Sequence, residues 1–184
     1  MPTFESSPQY EHGVPVSLGV LLVNLGTPAA PTAGAVRRYL GQFLADPRVI
    51  ELPRPLWRLI LHGFILRFRP ARSAEAYAKI WTDEGSPLLL YSQDIAANIQ
   101  TQLSGRLSGE VNVVLGMSYG QPSLAAALDE LHAKNARRIV VLPLYPQYSG
   151  TTTGSVFDDV TRTLSRRRWV PELRFINHYH DSRG

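Results

Sequence analysis

The stretch from Ile139 to Ser155 (IVVLPLYPQYSGTTTGS) constrains this chain more than any other. Its first six residues form a continuous apolar run, which predicts a strand buried on both faces. Pro143 and Pro146 cannot donate ladder hydrogen bonds, so pairing ends there. The chain then passes through hydroxyls and glycines into a helical pattern in which Phe157, Val160 and Leu164 share a face. Asp158 and Asp159 in its first turn and Arg166 to Arg168 at its far end complement a helix dipole. A buried strand feeding a helix through a polar loop is the unit of an α/β sheet, and such sheets hold ligands at the carboxyl ends of their strands. An ordinary βα turn has the same appearance.

Three further segments repeat the pattern. Val16 to Leu25 is a near-continuous apolar strand that leaves through Gly26-Thr27-Pro28. Val111 to Met117 is a second strand, leaving through Ser118-Tyr119-Gly120. Glu172 to His178 reads as a fourth. Between the first two strands, Val36, Tyr39, Leu40, Phe43 and Leu44 recur at helical spacing from Thr32 to Pro47. A second helix is expected from about Arg72, with Ala76, Tyr77 and Ile80, and a third over Leu88 to Leu103, marked by Ile95, Ile99 and Leu103. Ser123 can cap a helix striped by Leu124, Leu128 and Leu131. The alternation predicts a three-layer α/β/α fold with a four-stranded parallel sheet, and a first crossover of several helices because residues 28–110 are too long for one. No helical pattern follows the fourth strand, so part of one sheet face is expected to lie bare, as in a chain cut before a further unit. Residues 1–15, polar and containing Pro2 and Pro8, read as a disordered tail ahead of a single domain over 16–184.

Composition narrows the function. The charged fraction is 18%, too low with 44% hydrophobic content for disorder, and the net charge of +4 suits an anionic ligand without reaching a nucleic-acid signature. There are no cysteines, which excludes thiolate metal sites and disulfides within this sequence. Neither a GxxxxGK[ST] loop nor a GxGxxG fingerprint is present, so nucleotide binding is unsupported. No signal peptide is visible and the longest apolar stretch, Leu56 to Phe68, is too short to span a bilayer. A cytoplasmic location follows by default.

That apolar stretch is the unusual element. Pro53, Pro55 and Pro70 bracket a segment (53–70) that is apolar nearly all round, so it must bury both faces or present one to something greasy. A core helix, the lip of an apolar cleft and a membrane-surface contact through 56–68 are the three readings. Arg67, Arg69 and Arg72 beside it could pair with ligand carboxylates, or simply be solvated. The strand exits supply tyrosines, hydroxyls and imidazoles, with no carboxylate pair and no lysine. His178 and His180 alternate along the fourth strand, so they should face opposite ways and could not chelate one metal without a bend. No Ser–His–Asp spacing is present. The offering suits a large, flat, anionic and apolar small molecule.

The segments Leu22-Val23-Asn24-Leu25-Gly26-Thr27-Pro28, Asp83-Glu84-Gly85-Ser86-Pro87-Leu88, Gly116-Met117-Ser118-Tyr119-Gly120 and Leu144-Tyr145-Pro146-Gln147-Tyr148-Ser149 with Thr152-Thr153-Gly154-Ser155 together resemble the ferrochelatases of proteobacterial type, over about residues 18 to 181. The resemblance implies insertion of Fe2+ into protoporphyrin IX to give protohaem, by a lyase with two similar lobes, of which this chain is the first. It implies that 53–70 is a lip over the macrocycle. Arg69, Tyr77 and Ser86 match positions that contact the porphyrin and its propionates, Ser118 stands where some relatives have an arginine near the metal path while Tyr119 keeps the adjacent aromatic, and Tyr145, Gln147, Ser149 and Thr152 match the cleft floor. Leu25 stands where coproporphyrin-using relatives often have tyrosine, which favours protoporphyrin. Gly150 replaces the cysteine of cluster-bearing members, so no iron–sulfur cofactor is expected. The metal-contacting histidine and glutamate of the family match nothing here and are expected in a second lobe beyond Gly184. No catalytic or metal residue is therefore assigned within the chain, and His178 and His180 are not substituted for the missing pair. The expected partners are the porphyrin, Fe2+ as substrate and the second lobe. A porphyrin-binding half-chelatase without catalysis, or a coproporphyrin or cobalt chelatase, are the alternatives.

Overall fold

The structure, a computed structural model, describes Phe4, Gly13 and residues 15–182. The tail expected over 1–15 falls almost wholly outside the described residues. Gly184, taken as the end of the domain and the point beyond which the family's histidine and glutamate are expected, also lies outside them. In chain order the elements are β1 (Ser17–Gly26), α1 (Ala33–Phe43), α2 (Arg54–Ile60), a π-helical turn (Leu61–Ile65), α3 (Leu66–Ala78), α4 (Pro87–Arg106), β2 (Val111–Tyr119), α5 (Leu124–Ala133), β3 (Ala136–Pro143), a second π-helical turn (Gly150–Gly154), α6 (Ser155–Leu164) and β4 (Glu172–Phe175). The four strands form one parallel sheet in the order β2-β1-β3-β4. The expected α/β architecture is therefore present, and the first crossover does contain several helices.

Alternation along the strands sorts the core into two layers. Leu21 and Val23 of β1, Val114 of β2, and Ile139 and Val141 of β3 face α5 and α6, whose Leu124, Leu128, Leu131, Val156, Val160 and Leu164 complete a buried cluster. Val20, Leu22, Val111, Leu115 and Met117 point the other way, toward Leu89, Ala96, Ile99 and Leu103 of α4. Ser123 caps α5 as expected, accepting from the Ala126 N–H at 3.2 Å. On the α4 side of β3, Val140 and Leu142 are only half-buried, and Arg138 and Arg174 near them are exposed. The strand read as buried on both faces is thus fully buried on one.

Several boundaries differ from the sequence reading. β4 ends at Phe175, because it is an edge strand paired only to β3, over Arg138↔Glu172 to Val141↔Phe175. Phe157 does not share the buried face of α6; Val156 takes that place, while Phe157 stands 48% exposed and meets Phe175 edge to face. Ile95 is likewise exposed, since the inner stripe of α4 runs through Leu89, Ser92, Ala96, Ile99 and Leu103.

The largest difference is in 53–70. Pro70 does not end the segment, and the helix expected from Arg72 begins at Leu66. Trp57, Leu61, Leu66, Pro70 and Ala74 are buried. Those positions step by four, five, four and four residues, and the step of five spans the π turn. The extra residue in that turn keeps the buried spine on one face through a segment a regular helix would have rotated away. Trp57 Nε1 donates to the Leu44 carbonyl at 2.7 Å, pinning the spine to the end of α1. Leu56, Leu59, Phe64 and Phe68 are left outside, between 52% and 73% exposed. Core and lip are two faces of one segment.

Two glycines of the strand exits are fixed by geometry. Gly26 (φ 102°) lies against the Tyr119 backbone and Gly120 (φ 90°) against the Thr27 backbone, so the exits of β1 and β2 approach each other with no room for a Cβ. Gly26→Ala and Gly120→Ala should each lower stability by about 1–3 kcal/mol from the backbone conformation alone, with the overlap adding to it. Gly109→Ala, where a Cβ meets nothing within 4 Å, should be near neutral in the same urea titrations. Equal midpoints for all three would refute the close approach.

Candidate functional site

The carboxyl ends of β1, β2 and β3 converge beneath α1 and the spine of α2 and α3. Leu25 and Tyr77 are partly buried there, against a cluster of Val36, Tyr39, Leu40, Trp57, Leu61, Leu66 and Tyr119. Aromatic rings line the junction. Tyr77 meets Tyr39 edge to face at 6.4 Å and Trp81 in the same manner at 6.4 Å, and Phe43 meets Tyr119 at 5.2 Å. Asn24 fixes the exit of β1: its Oδ1 accepts from the Leu25 N–H at 2.8 Å and its Nδ2 donates to Ser92 Oγ of α4 at 3.0 Å.

A polar hub sits one layer away. The Tyr119 hydroxyl donates to Asp46 Oδ2 at 2.7 Å, Ser155 Oγ bonds the same oxygen, and Asp46 Oδ1 accepts from the Arg48 N–H at 2.7 Å. Tyr119 is 5% and Ser155 2% exposed, so these two donors are shielded from water, while Asp46 itself is half-buried and borders a recess. Arg48 then turns to Asp158, with Nε 2.6 Å from Oδ2 and Nη2 2.9 Å from Oδ1, and its guanidinium lies across Gly154. The bidentate pairing holds the Asp158 carboxyl below its usual range. Asp159 behaves oppositely: burial, with Asp46 nearby, pushes it up despite its ion pair with Arg162.

Burial also pushes up the phenols of Tyr39, Tyr119 and Tyr145, which therefore stay protonated as donors. The Ser118 hydroxyl stands beside Tyr145 closely enough to oppose that rise, although the two do not meet hydrogen-bond geometry. Ser118 Oγ, Tyr145 OH, Thr27 Oγ1 and Thr153 Oγ1 are buried with no hydrogen-bond partner among the described residues, and all four lie at the carboxyl ends of strands or just beyond them.

The structure groups the residues expected at the site in part. Leu25, Tyr77, Ser118, Tyr119 and Tyr145 come together around the strand ends. Ser86 is buried at the start of α4 and lines a recess of about 500 Å3 with Thr27, Tyr39 and Trp81. A second recess, of about 610 Å3, is bordered by Ser118, Tyr119, Asp46, Arg54, Asp159 and Arg162, and the two meet at Gln42, Gly120 and Gln121. Arg69 stands apart, exposed on α3 beside Phe68. Gln147 is exposed; Ser149 Oγ caps the following π turn by accepting from the Thr151 N–H at 3.3 Å, and Thr152 Oγ1 reaches back toward the Ser149 carbonyl. The Asp46, Ser155, Arg48 and Asp158 linkage was not anticipated. Its only sequence trace is Asp46 before a proline, which gives no sign of a partner more than a hundred residues away.

The family profile described as Ferrochelatase matches residues 17–184. The chain belongs to the ferrochelatase family. It is 57% identical to a ferrochelatase of Thioalkalivibrio sulfidiphilus over 98% of this chain and 49% of that one. It is 53% identical to a ferrochelatase of Polaromonas sp. over 99% and 50%, and 53% identical to a protein named ferrochelatase 2 of Shewanella oneidensis over 93% and 52%. The chain spans about half the length of the curated relatives it matches.

Tyr119→Phe should lower stability by about 1.5–3 kcal/mol, the worth of a bond to a charged group. Ser155→Ala should show a similar loss, and the double variant should fall short of the sum because both bond one oxygen. Full additivity would separate the two from a shared hub. The Asp158 carboxyl, lowered in the folded state, contributes stability that is present above its unfolded value near pH 4 and lost as pH falls through the lower folded value. Arg48→Ala should therefore flatten the acid limb of the thermal-midpoint profile. An unchanged limb would show that the pair does not couple to folding.

Proposed function

We propose that this chain is the first lobe of a ferrochelatase acting on Fe2+ and protoporphyrin IX, and that alone it grips the porphyrin without inserting metal. The supporting observation is the exposed apolar stripe of Leu56, Leu59, Phe64 and Phe68, held on a buried spine with Arg69 alongside. A lobe that leaves four large apolar side chains exposed at one edge has a greasy partner to meet there, and a flat macrocycle with propionates at its rim fits both the stripe and the arginine.

The chemistry divides naturally between two halves. A free-base porphyrin carries two N–H protons that must leave as metal enters, and its planar ring shields the nitrogen lone pairs. Catalysis needs a bent ring, a base and a partly dehydrated ion. Leu25, Tyr77 and the lip would grip and bend the ring from one side, with Ser118 and Tyr145 offering donors near its centre and Tyr119, held by Asp46, presenting its ring beside them. Gln147, Ser149 and Thr152 would border the floor, and Ser86 a rim contact. No residue of this chain is given the role of base; in this reading the base and its glutamate partner belong to a second lobe following Gly184. Gly150, at the place of a cluster cysteine, leaves no role for an iron–sulfur cofactor in this reading. The same stripe would also touch a membrane surface, making the protein a peripheral one on the cytoplasmic side. No helix among the described residues is long and apolar enough to cross a membrane.

Two measurements test this. Arg69→Ala should weaken protoporphyrin binding about fivefold, the scale of an exposed ion pair near 1 kcal/mol, while leaving the dimethyl ester unaffected; equal losses on both ligands would remove arginine from the propionate role. Zinc or iron insertion into a soluble porphyrin by the 184-residue chain should stay at the uncatalysed rate. Turnover well above it, abolished by His178→Ala or His180→Ala, would make this a one-lobe chelatase.

A further inference from the structure

The sequence pattern places His178 and His180 on opposite faces of a strand, but β4 stops at Phe175 and the chain bends. The Ile176 N–H still donates to the Val141 carbonyl at 3.0 Å; beyond it, the N–H groups of Tyr179 and His180 both turn to the Pro146 carbonyl, at 2.9 and 3.1 Å. The Ser182 N–H closes the turn on the Tyr179 carbonyl at 3.1 Å. With both imidazoles thrown to one side, their ring centres lie 5.6 Å apart at an interplanar angle of 52°. The Asp181 carboxylate approaches the same side, its Oδ2 3.9 Å from His178 Nε2.

From this juxtaposition we propose that His178 and His180 together form a surface site for a divalent transition-metal ion, with Asp181 as a flanking carboxylate. Two imidazole nitrogens at about 2.1 Å from one ion, at angles between tetrahedral and trigonal, set their ring centres roughly 5–6 Å apart. The observed separation falls in that interval, so the two rings are spaced as a shared ion requires. The backbone is itself fixed, since one carbonyl accepts from both Tyr179 and His180. Among the described residues no three His, Cys, Asp or Glu side chains already stand in ligating positions. The ion would therefore be held by two nitrogens, with water filling the remaining positions, and Asp181 would bond one of those waters or close the last fraction of an ångström itself. His178 and Asp181 are 52% and 67% exposed at their side chains, which suits an ion that enters and leaves readily.

Imidazole selects zinc, cobalt, nickel, copper and iron over magnesium and calcium, which prefer oxygen ligands. The site lies at the carboxyl end of the sheet, anchored on Pro146 next to Tyr145. Its use as a place where the metal substrate gathers before insertion rests on the chelatase reading above. The binding itself does not.

The test uses the whole chain and Co2+, whose absorption bands and paramagnetism report its ligands directly, followed by Zn2+ in calorimetry. The expected result is saturable one-to-one binding that shifts and broadens the imidazole resonances of both His178 and His180, unaffected by a large excess of Mg2+. His178→Gln and His180→Gln should each weaken it about tenfold or more, Asp181→Asn less, and His132→Gln not at all. Binding is read apart from metal insertion, so an inactive chain that binds Co2+ here supports the site whatever the fate of the chelatase reading. Saturable binding that leaves either imidazole resonance unperturbed, or no saturable binding by the native chain, would overturn it.

Discussion

The carboxyl end of this sheet depends on one carboxylate. Asp46 follows α1, yet its two oxygens are bonded by the Arg48 backbone, the Tyr119 hydroxyl at the end of β2 and Ser155 at the start of α6. A half-buried carboxylate with an unfilled lone pair carries a desolvation cost, and all three donors meet it. The consequence is mechanical. Tyr119 cannot swing, the mouth of β2 is tied to the helix that follows β3, and Arg48 is placed to reach Asp158 across Gly154. The loop from Tyr145 to Ser155 is thereby fixed at its far end while its near end is fixed by the sheet.

The lip obeys a different constraint. An all-apolar helix cannot satisfy water on any side, and the fold resolves this by using a π turn to keep a single buried spine. Without the extra residue, the spine before Leu61 and the spine from Leu66 would diverge by about 100°, the rotation of one helical residue. Either Trp57 would leave its Leu44 partner or Pro70 and Ala74 would leave the cluster. The same insertion decides which side chains face out. Leu56, Leu59, Phe64 and Phe68 are exposed because the spine has claimed the opposite face, and the rigidity of that spine makes the exposed stripe a surface of defined shape.

The sheet was legible in the sequence because three of its strands are largely apolar runs with glycine-containing exits; these, the helical crossover and the cap at Ser123 follow from local rules. What local rules miss is contact over distance. Whether Phe157 or Val156 faces inward depends on where α6 meets the sheet, and the π turn leaves no mark distinguishable from an apolar run. The strand endings failed for the same reason: Asn177, His178 and Tyr179 continue a strand pattern on paper, but past Phe175 the bonding turns to the carbonyl of Pro146. Of the candidate residues, Ser118, Tyr119 and Tyr145 were visible as residues at strand exits, whereas Tyr77 and Ser86, on α3 and at the start of α4, were marked only by the family resemblance. Arg69 was visible as a charge and stands exposed on α3, apart from the strand ends, whereas the Asp46 hub joins residues 46, 119 and 155 that nothing in the sequence connects.

What remains is an asymmetry in how polar groups are treated at the two layers of this end. In the hub every donor is matched, with Tyr119, Ser155 and Arg48 converging on Asp46. A few residues away, Thr27, Ser118, Tyr145 and Thr153 are buried with hydroxyls that no group among the described residues meets. The hub and the buried spine are thus the parts of this end whose groups are matched within the described residues.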